Sequence, residues 1–232
     1  MAKSAERARL RPATASRLLA CTALLAATVP AAAQERFGEG LDVGLTVQRS
    51  EQDLGIDGAG HETRISRLGL SIWESSLPWV QFGLQGGPIA VTQSGNPATA
   101  GMELTGYFVG IGARSKLYSD RLLDLDAEFG YTYYRADDSS DGRETRLAWY
   151  EGRAQAAVTL KLDRLHLSSG AFGMYVDGDQ TGDGLPTRDL EQDEAFGGFL
   201  DVSFWVDADG RIQLRGEGGA RNSLSLTFAR RF

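Results

Sequence analysis

The chain has 232 residues, 42% hydrophobic and 24% charged, with 31 acids against 24 bases and a net charge of −7. So acidic a chain is a poor match for nucleic acid, whose backbone is itself anionic, and its single cysteine excludes a disulfide scaffold. No apolar run approaches the roughly 18 residues that a membrane helix needs.

Residues 1–33 carry Lys3, Arg7, Arg9, Arg11 and Arg17 against Glu6, then an apolar stretch from Leu18 to Val29, then Pro30-Ala31-Ala32-Ala33. That order of basic, apolar and small-residue segments is expected to be a secretory signal peptide cut after Ala33, with 34–232 as the folded domain. Taking away its five bases and one acid leaves 199 residues with 19 bases and 30 acids, a net charge of −11. Cys21 would leave with the signal, so the mature chain is expected to carry no thiol. The segment Leu18-Leu19-Ala20-Cys21 resembles a lipoprotein cleavage box, but only three residues separate Arg17 from Cys21 and most of the apolar run follows it. Cleavage after Ala33 therefore stays the expectation.

Beyond Phe37 apolar and polar residues alternate almost without a break, the pattern of strands whose two faces meet different surroundings. The first strand sets Leu41, Val43, Leu45 and Val47 against Asp42, Gly44, Thr46 and Gln48. The second sets Leu68, Leu70 and Ile72 against Arg67, Gly69 and Ser71; the third Val80, Phe82 and Leu84 against Gln81, Gly83 and Gln85. In the fourth, Tyr107, Val109, Ile111 and Ala113 oppose Gly110, Gly112 and Arg114. The fifth is the most regular: Leu123, Leu125, Ala127, Phe129, Tyr131 and Tyr133 face one way, and Asp124, Asp126, Glu128, Gly130 and Thr132 the other. The sixth places Tyr150, Ala154, Ala156, Val158, Leu160 and Leu162 against Glu151, Arg153, Gln155, Thr159 and Lys161. In the seventh, from Leu165 to Val176, Leu165, Leu167, Ala171 and Tyr175 oppose His166, Ser168, Phe172 and Met174. An eighth (Phe196, Leu200, Val202, Phe204 and Val206 against Asp201 and Ser203), a ninth (Ile212 and Leu214 against Arg211, Gln213 and Arg215) and a tenth (Leu224, Leu226 and Phe228 against Ser225 and Thr227) follow.

The connections alternate in kind. Long polar ones are expected after odd strands (51–61, 93–103, 137–144, 177–192 and 218–222), and tight ones after even strands (74–78, 119–120, 163–164 and 207–210). One rim therefore carries loops and the other turns.

Aromatics gather at strand ends, with Phe37, Trp73, Trp79, Tyr118, Trp205 and Phe232 toward the turn rim and Tyr133, Tyr134, Trp149, Tyr150, Tyr175 and Phe196 toward the loop rim. Two such girdles suit the two interfaces of a bilayer. The charged residues fall on the other inferred face, which a soluble core would have to desolvate but which a barrel lumen keeps in water or in ion pairs. The expected fold is all-β, a closed antiparallel transmembrane β-barrel of ten strands, with eight or twelve as alternatives.

The last residues run Leu224-Ser225-Leu226-Thr227-Phe228-Ala229-Arg230-Arg231-Phe232. With Phe232 at the end and Phe228, Leu226 and Leu224 at alternate positions before it, this segment resembles the C-terminal signature of Gram-negative outer-membrane β-barrel proteins; Arg230 departs from the pattern. The resemblance picks out no single named family. It implies residence in the outer membrane after export, recognition of the last strand by the barrel assembly machinery, and contact with outer-membrane lipid and lipopolysaccharide. A monomer is expected.

The candidate functional residues are the lumen charges Arg67, Arg114, Asp124, Asp126, Glu128, Glu151, Arg153, Lys161, Asp201 and Arg215. Asp124, Asp126 and Glu128 can meet bases on either neighbouring strand, Arg114 and Lys116 on one side and Arg153 and Lys161 on the other. Such a set either fills a narrow barrel as an ion-pair plug or forms a constriction that selects solutes by charge. His166-Leu167-Ser168 resembles the histidine-x-serine element of lipid A deacylase barrels, but no acid follows at a comparable position to orient the base. An omptin-like protease would need aspartate and histidine pairs near the loop rim, where His61 stands alone. Asp177, Asp179 and Asp183, and Asp137, Ser139 and Asp141-Gly142, resemble the opening half of a calcium loop, yet Arg188 and Ala148 stand where its closing glutamate belongs. Neither a metal nor a cofactor is expected. The functional expectation is a structural or surface-interaction barrel with a filled lumen; a narrow channel for ions or small solutes is the alternative, and a lipid-modifying enzyme comes third.

Overall fold

The computed structural model describes residues 40–77, 79–140, 143–182, 185–192 and 194–232; the expected signal peptide, its cut site and Phe37 lie outside the described residues. The strands in chain order are β1 (Leu41–Ile56), β2 (Ala59–Leu77), β3 (Val80–Gln93), β4 (Leu104–Ser119), β5 (Leu123–Ser140), β6 (Arg143–Leu162), β7 (Leu165–Gly182), β8 (Leu185–Gln192), β9 (Phe196–Trp205), β10 (Gly210–Gly219) and β11 (Asn222–Arg231).

Ten of them close a ring. β1 to β7 pair in sequence, β7 pairs with β9, and β9, β10 and β11 follow in order. β11 then returns to β1 in a register from Asp42↔Arg231 to Glu51↔Asn222. Below that ladder Leu41 and Phe232 exchange backbone hydrogen bonds of 3.0 Å in each direction, so the ring has no free edge for lipid to leave unsatisfied. The alternation read from the sequence is the alternation of the wall. Leu45, Leu70, Leu84, Ile111, Phe129, Val158, Leu200 and Leu214 stand exposed on the outside, while Asp42, Gln48, Asp124, Glu151 and Asp201 are buried inside.

The loop rim departs from expectation. Most of the polar connections are continuations of strands: β5, β6 and β7 run for 18, 20 and 18 residues, well beyond the roughly 9–11 that cross a bilayer. β1 and β2 likewise continue upward and turn at Asp57-Gly58, whose φ values of 52° and 81° are the left-handed pair that a tight hairpin favours. Above the apolar band neither outer nor inner face has to be apolar, so period two loses its hydrophobic marking there although the hydrogen-bond ladder persists. The connection 94–103 between β3 and β4 remains a loop.

β8 is the second departure, since it lies inside what reads as the loop 177–192. Its sequence, Leu185-Pro186-Thr187-Arg188-Asp189-Leu190-Glu191-Gln192, has no alternation to reveal it. It pairs with β7 between Asp177↔Glu191 and Gly182↔Leu185, and with the top of β1 from Leu54↔Gln192 to Ile56↔Leu190. Leu190 is its fully buried anchor. β9, β10 and β11 have 10 residues each and stop below, so one strand takes over from three. At about 4.8 Å per strand, the perimeter shrinks by roughly 10 Å toward the mouth.

Candidate functional site

The turn-side half of the lumen is charged. Asp42 on β1, Asp124, Asp126 and Glu128 on β5 and Asp201 on β9 interleave with Arg67 on β2, Arg114 and Lys116 on β4, Arg153 and Lys161 on β6, and Arg211 and Arg215 on β10. Neighbouring strands thus present mostly opposite signs. Asp124 bridges Lys161 at 2.8 Å and Lys116 at 3.4 Å, the cross-strand pairing expected for β5. Arg114 and Arg153 instead reach across the lumen, to Asp42 at 2.6 Å and Glu217 at 2.7 Å. Asp42 also holds Arg211 and Arg231, each at 3.6 Å. Arg215 is shared between Asp201 at 3.8 Å and Glu217 at 2.9 Å.

Glu217 and Arg221 are functional-site residues that the sequence reading missed. Glu217 joins Arg153, Arg215 and, at 3.2 Å, Arg221; Arg221 in turn holds Glu151 at 3.1 Å. All three side chains of the Glu151–Arg221–Glu217 chain are buried. Continuing the count inward from Arg211, Gln213 and Arg215 would have found Glu217, but its glycine neighbours read as loop. Asp126 and Glu128 face the lumen without an ion pair among the described residues, and border a cavity of about 540 Å3 on the turn side. A second cavity of about 250 Å3 lies deeper, among Arg67, Arg153 and Glu217.

Above this the lumen turns apolar. Phe108, Tyr134 and Trp149 form a continuous stack across β4, β5 and β6, with ring centroids 5.8 Å apart in the first pair and 4.8 Å in the second. Leu54, Ile65, Val91, Leu104, Leu147 and Leu190 fill the space around it. Guanidinium groups join the two halves: Arg153 sits 4.0 Å from the Phe172 centroid, Arg215 3.7 Å from Phe199 and Arg67 5.2 Å from Phe108. Arg153 and Arg215 each put a cation against a ring face while their donors reach Glu217 in the charged half, whereas Arg67 faces the Phe108 ring and donates to the Tyr134 hydroxyl at 3.0 Å. The ring at Phe108 is seated over Gly69, where an added Cβ would stand 3.0 Å from it.

The β3–β4 loop closes the mouth by folding into it. Asn96 and Thr99 are almost wholly buried, and Met102 joins the apolar cluster. The Asn96 amide donates to Gln93 at 2.8 Å and across the barrel to Gln180 on β7 at 3.2 Å. Thr145 on β6 donates to the Ala98 carbonyl at 3.2 Å, so the loop is tied to the opposite wall.

Several sequence expectations are corrected here. Tyr134 and Trp149 belong to the apolar fill and not to a lipid girdle, and Trp73 and Trp205 also point inward, under Arg114 and Arg211. Their positions at strand ends resemble girdle positions, but the period-two count places them on the lumen face. Trp79, Tyr118 and Phe232 remain exposed at the turn rim, and Tyr107, Tyr131, Tyr150, Tyr175 and Phe196 toward the mouth. His166 and Ser168 do not couple: the His166 Nδ1 accepts from the Trp205 indole at 3.2 Å, and Ser168 shares a 2.8 Å hydrogen bond with Thr159. Asp137, Asp177 and Asp179 stand on β5 and β7, not in loops, while Asp141, Gly142 and Asp183 lie outside the described residues. Leu224, Phe228 and Phe232 of the terminal segment are exposed on the outer wall.

No protein-family model matches the chain, and no curated protein matches it in sequence. Solved structures do match in fold. An outer-membrane channel from Pseudomonas putida F1 is 14% identical with a TM-score of 0.51, over 88% of this chain and 100% of that one. The outer-membrane protease OmpT from Escherichia coli is 8% identical with a TM-score of 0.52, over 87% of this chain and 99% of that one. The likeness in fold to these structures, together with this chain's closed ring of ten strands, apolar outer wall and charged interior, gives it the fold of the Gram-negative outer-membrane β-barrels.

Proposed function

We propose that the barrel resides in the outer membrane as a closed, monomeric element with a structural or surface-interaction role, its lumen filled by its own side chains. It meets lipid and lipopolysaccharide along the apolar band, and the Leu224, Leu226, Phe228 and Phe232 face is read by the assembly machinery. The observation that carries this reading is the apolar fill beneath a loop folded inward: Leu54, Val91, Leu104, Leu147, Trp149 and Leu190 are each 0% exposed. An ion would have to shed its water to pass these side chains, and the buried polar groups beside them, Asn96, Thr99, Thr145 and Gln180, are engaged in hydrogen bonds within the barrel. The paired extensions of β5 to β8 above the band supply an outer surface for contacts.

A narrow channel is the second reading, favoured by the turn-side cavity of about 540 Å3 bordered by Asp126 and Glu128, two carboxylates without an ion pair among the described residues. Purified barrel in a planar bilayer separates the two. The closed reading expects no stable conductance steps; an ion-selective conductance that Asp126→Asn or Arg153→Gln alters would establish the channel instead.

A further inference from the structure

The chain has a net charge of −7, yet the deeper lumen cavity is positive. This space of about 250 Å3, with Phe108 on its wall, is bordered by six arginines (Arg67, Arg114, Arg153, Arg211, Arg215 and Arg221) and four carboxylates (Asp42, Glu128, Glu151 and Glu217). The carboxylates are heavily shared. Glu217 holds Arg153, Arg215 and Arg221 at 2.7, 2.9 and 3.2 Å, and Asp42 holds Arg114 at 2.6 Å with Arg211 and Arg231 at 3.6 Å each. Half-buried Arg67 has no ion pair among the described residues and rests on the Tyr134 hydroxyl at 3.0 Å. Glu128 does not offset it, since it stands on β5 six residues below Tyr134, about 20 Å at roughly 3.3 Å per residue. A surplus of positive charge shielded inside the wall is weakly screened, and a counter-anion stabilises it.

The cavity has room and an entrance. Small inward residues, Gly44 and Thr46 on β1, Ser71 on β2 and Gly130 and Thr132 on β5, keep one wall low. A Cβ added at Gly130 would come no nearer than 3.9 Å to a heavy atom beyond its chain neighbours. Asp42, Arg114, Glu128, Arg211 and Arg215 border both this cavity and the turn-side one, so the two are continuous and the deeper is reached from the turn rim. The charge surplus repels a cation, and a zwitterion as short as an amino acid could not span from Arg67 to Glu128. The guanidinium groups come from β2, β6 and β10, well apart in the ring. A carboxylate presents its two oxygens in one plane, whereas a tetrahedral oxyanion presents acceptors in every direction.

We propose that this cavity binds a tetrahedral oxyanion, sulfate or phosphate, anchored on Arg67 within the field of Arg153, Arg215 and Arg221. The site goes beyond the closed-barrel reading: an anion entering from the turn side binds whether or not the apolar zone above conducts, so calorimetry tests the one and conductance the other. The experiment is calorimetric titration of the detergent-folded full barrel at low ionic strength with sodium sulfate, inorganic phosphate and, as the spherical control, sodium chloride. Sulfate, phosphate or both should bind saturably, and which of them does identifies the ligand; chloride should not bind saturably. Arg67→Gln should weaken binding about tenfold or more, the loss of a charge-assisted contact. Gly130→Leu, which fills the cavity without removing a charge, should weaken it about as much. Both variants should keep the heat-dependent gel shift of the folded barrel, and Arg64→Gln, on the outer wall, should leave binding unchanged. Absence of saturable binding of both oxyanions to the folded wild type would overturn the proposal. So would binding that either lumen variant, when folded, leaves untouched, or that chloride matches, since that is a diffuse positive field and not a site.

Discussion

The two halves of the lumen are built on the same ten-strand alternation and are filled by opposite means. On the turn side the ring is at its widest and its inner positions are carboxylates and guanidinium groups, each strand's sign answered by its neighbour or by a partner across the lumen. Toward the mouth β8 stands in for three strands, the perimeter contracts, and the inner positions are Phe108, Tyr134, Trp149 and their aliphatic neighbours. A wide section cannot be closed by side chains without water, and water tolerates charge; a narrow section can be closed, and closing it dry requires apolar groups. The arginines that lie on Phe108, Phe172 and Phe199 mark the boundary between the two regimes.

If the mouth half is held by packing, removing its largest ring should have the largest effect. Trp149 is fully buried against Tyr134, and Trp149→Ala should destabilise the barrel by about 3–5 kcal/mol through lost contacts and the cavity left behind. Urea unfolding in detergent micelles measures it, and the loss should be insensitive to salt. In the charged half the corresponding change is Glu217→Gln, which leaves Arg153, Arg215 and Arg221 without their shared carboxylate. A loss of about 3 kcal/mol is expected, because breaking a buried pair leaves uncompensated charge behind. If Glu217→Gln proved neutral while Trp149→Ala did not, ion pairing would not be what organises the turn side.

Asp126→Asn probes the same half without breaking an ion pair. Asp126 lies one inward position from Asp124 and from Glu128 and has no ion pair among the described residues. Removing its charge should change stability by no more than about 1 kcal/mol, in the stabilising direction, as like charges on adjacent inward sites repel. A loss comparable to that of Glu217→Gln would mean that Asp126 carries an ion pair in solution.

The contrast between the halves also explains what could be read from the sequence. Strand faces were legible wherever lipid lies on one side, since Leu123 to Tyr133 must alternate to satisfy it. A ring of about ten strands, the turn rim and bases on either side of the β5 acids follow from that; which acid takes which base, Asp124 with Lys116 and Lys161, does not. Above the band the marking disappears, so β8 and the upper parts of β5, β6 and β7 read as polar loops. In the narrow section both faces can carry aromatics, which is why Tyr134 and Trp149 resemble girdle residues. Arg114–Asp42 and Arg153–Glu217 were not legible for another reason: pairs that span a lumen depend on its diameter and not on neighbouring register.

The smallest expected effect lies outside both halves, in the turn between β9 and β10. The Asp207 carboxylate accepts backbone N–H groups of Asp209 at 2.9 Å and Gly210 at 2.6 Å, and pairs with Arg230 at 3.2 Å. The backbone hydrogen bonds are the main cause that holds its pKa below the ordinary value of 3.8, with Arg230 adding to them. A carboxyl group depressed in the folded state contributes stability at pH values above its unfolded value and loses it as pH falls through the folded one. Asp207→Asn keeps an oxygen for the backbone donors but removes the charge, so the wild type should be slightly the more stable at neutral pH. That margin should fade only below about pH 4. The Asp207 and Arg230 side chains are exposed, so raising the salt concentration should reduce the margin further. Glu217→Gln should be far less salt-sensitive, because Glu217 and its arginines are shielded inside the wall. Similar salt responses from the two variants would show that the charged half of the lumen is as open to solvent as an exposed turn, and that the division of the lumen into a dry mouth and a paired, partly shielded base is too sharp.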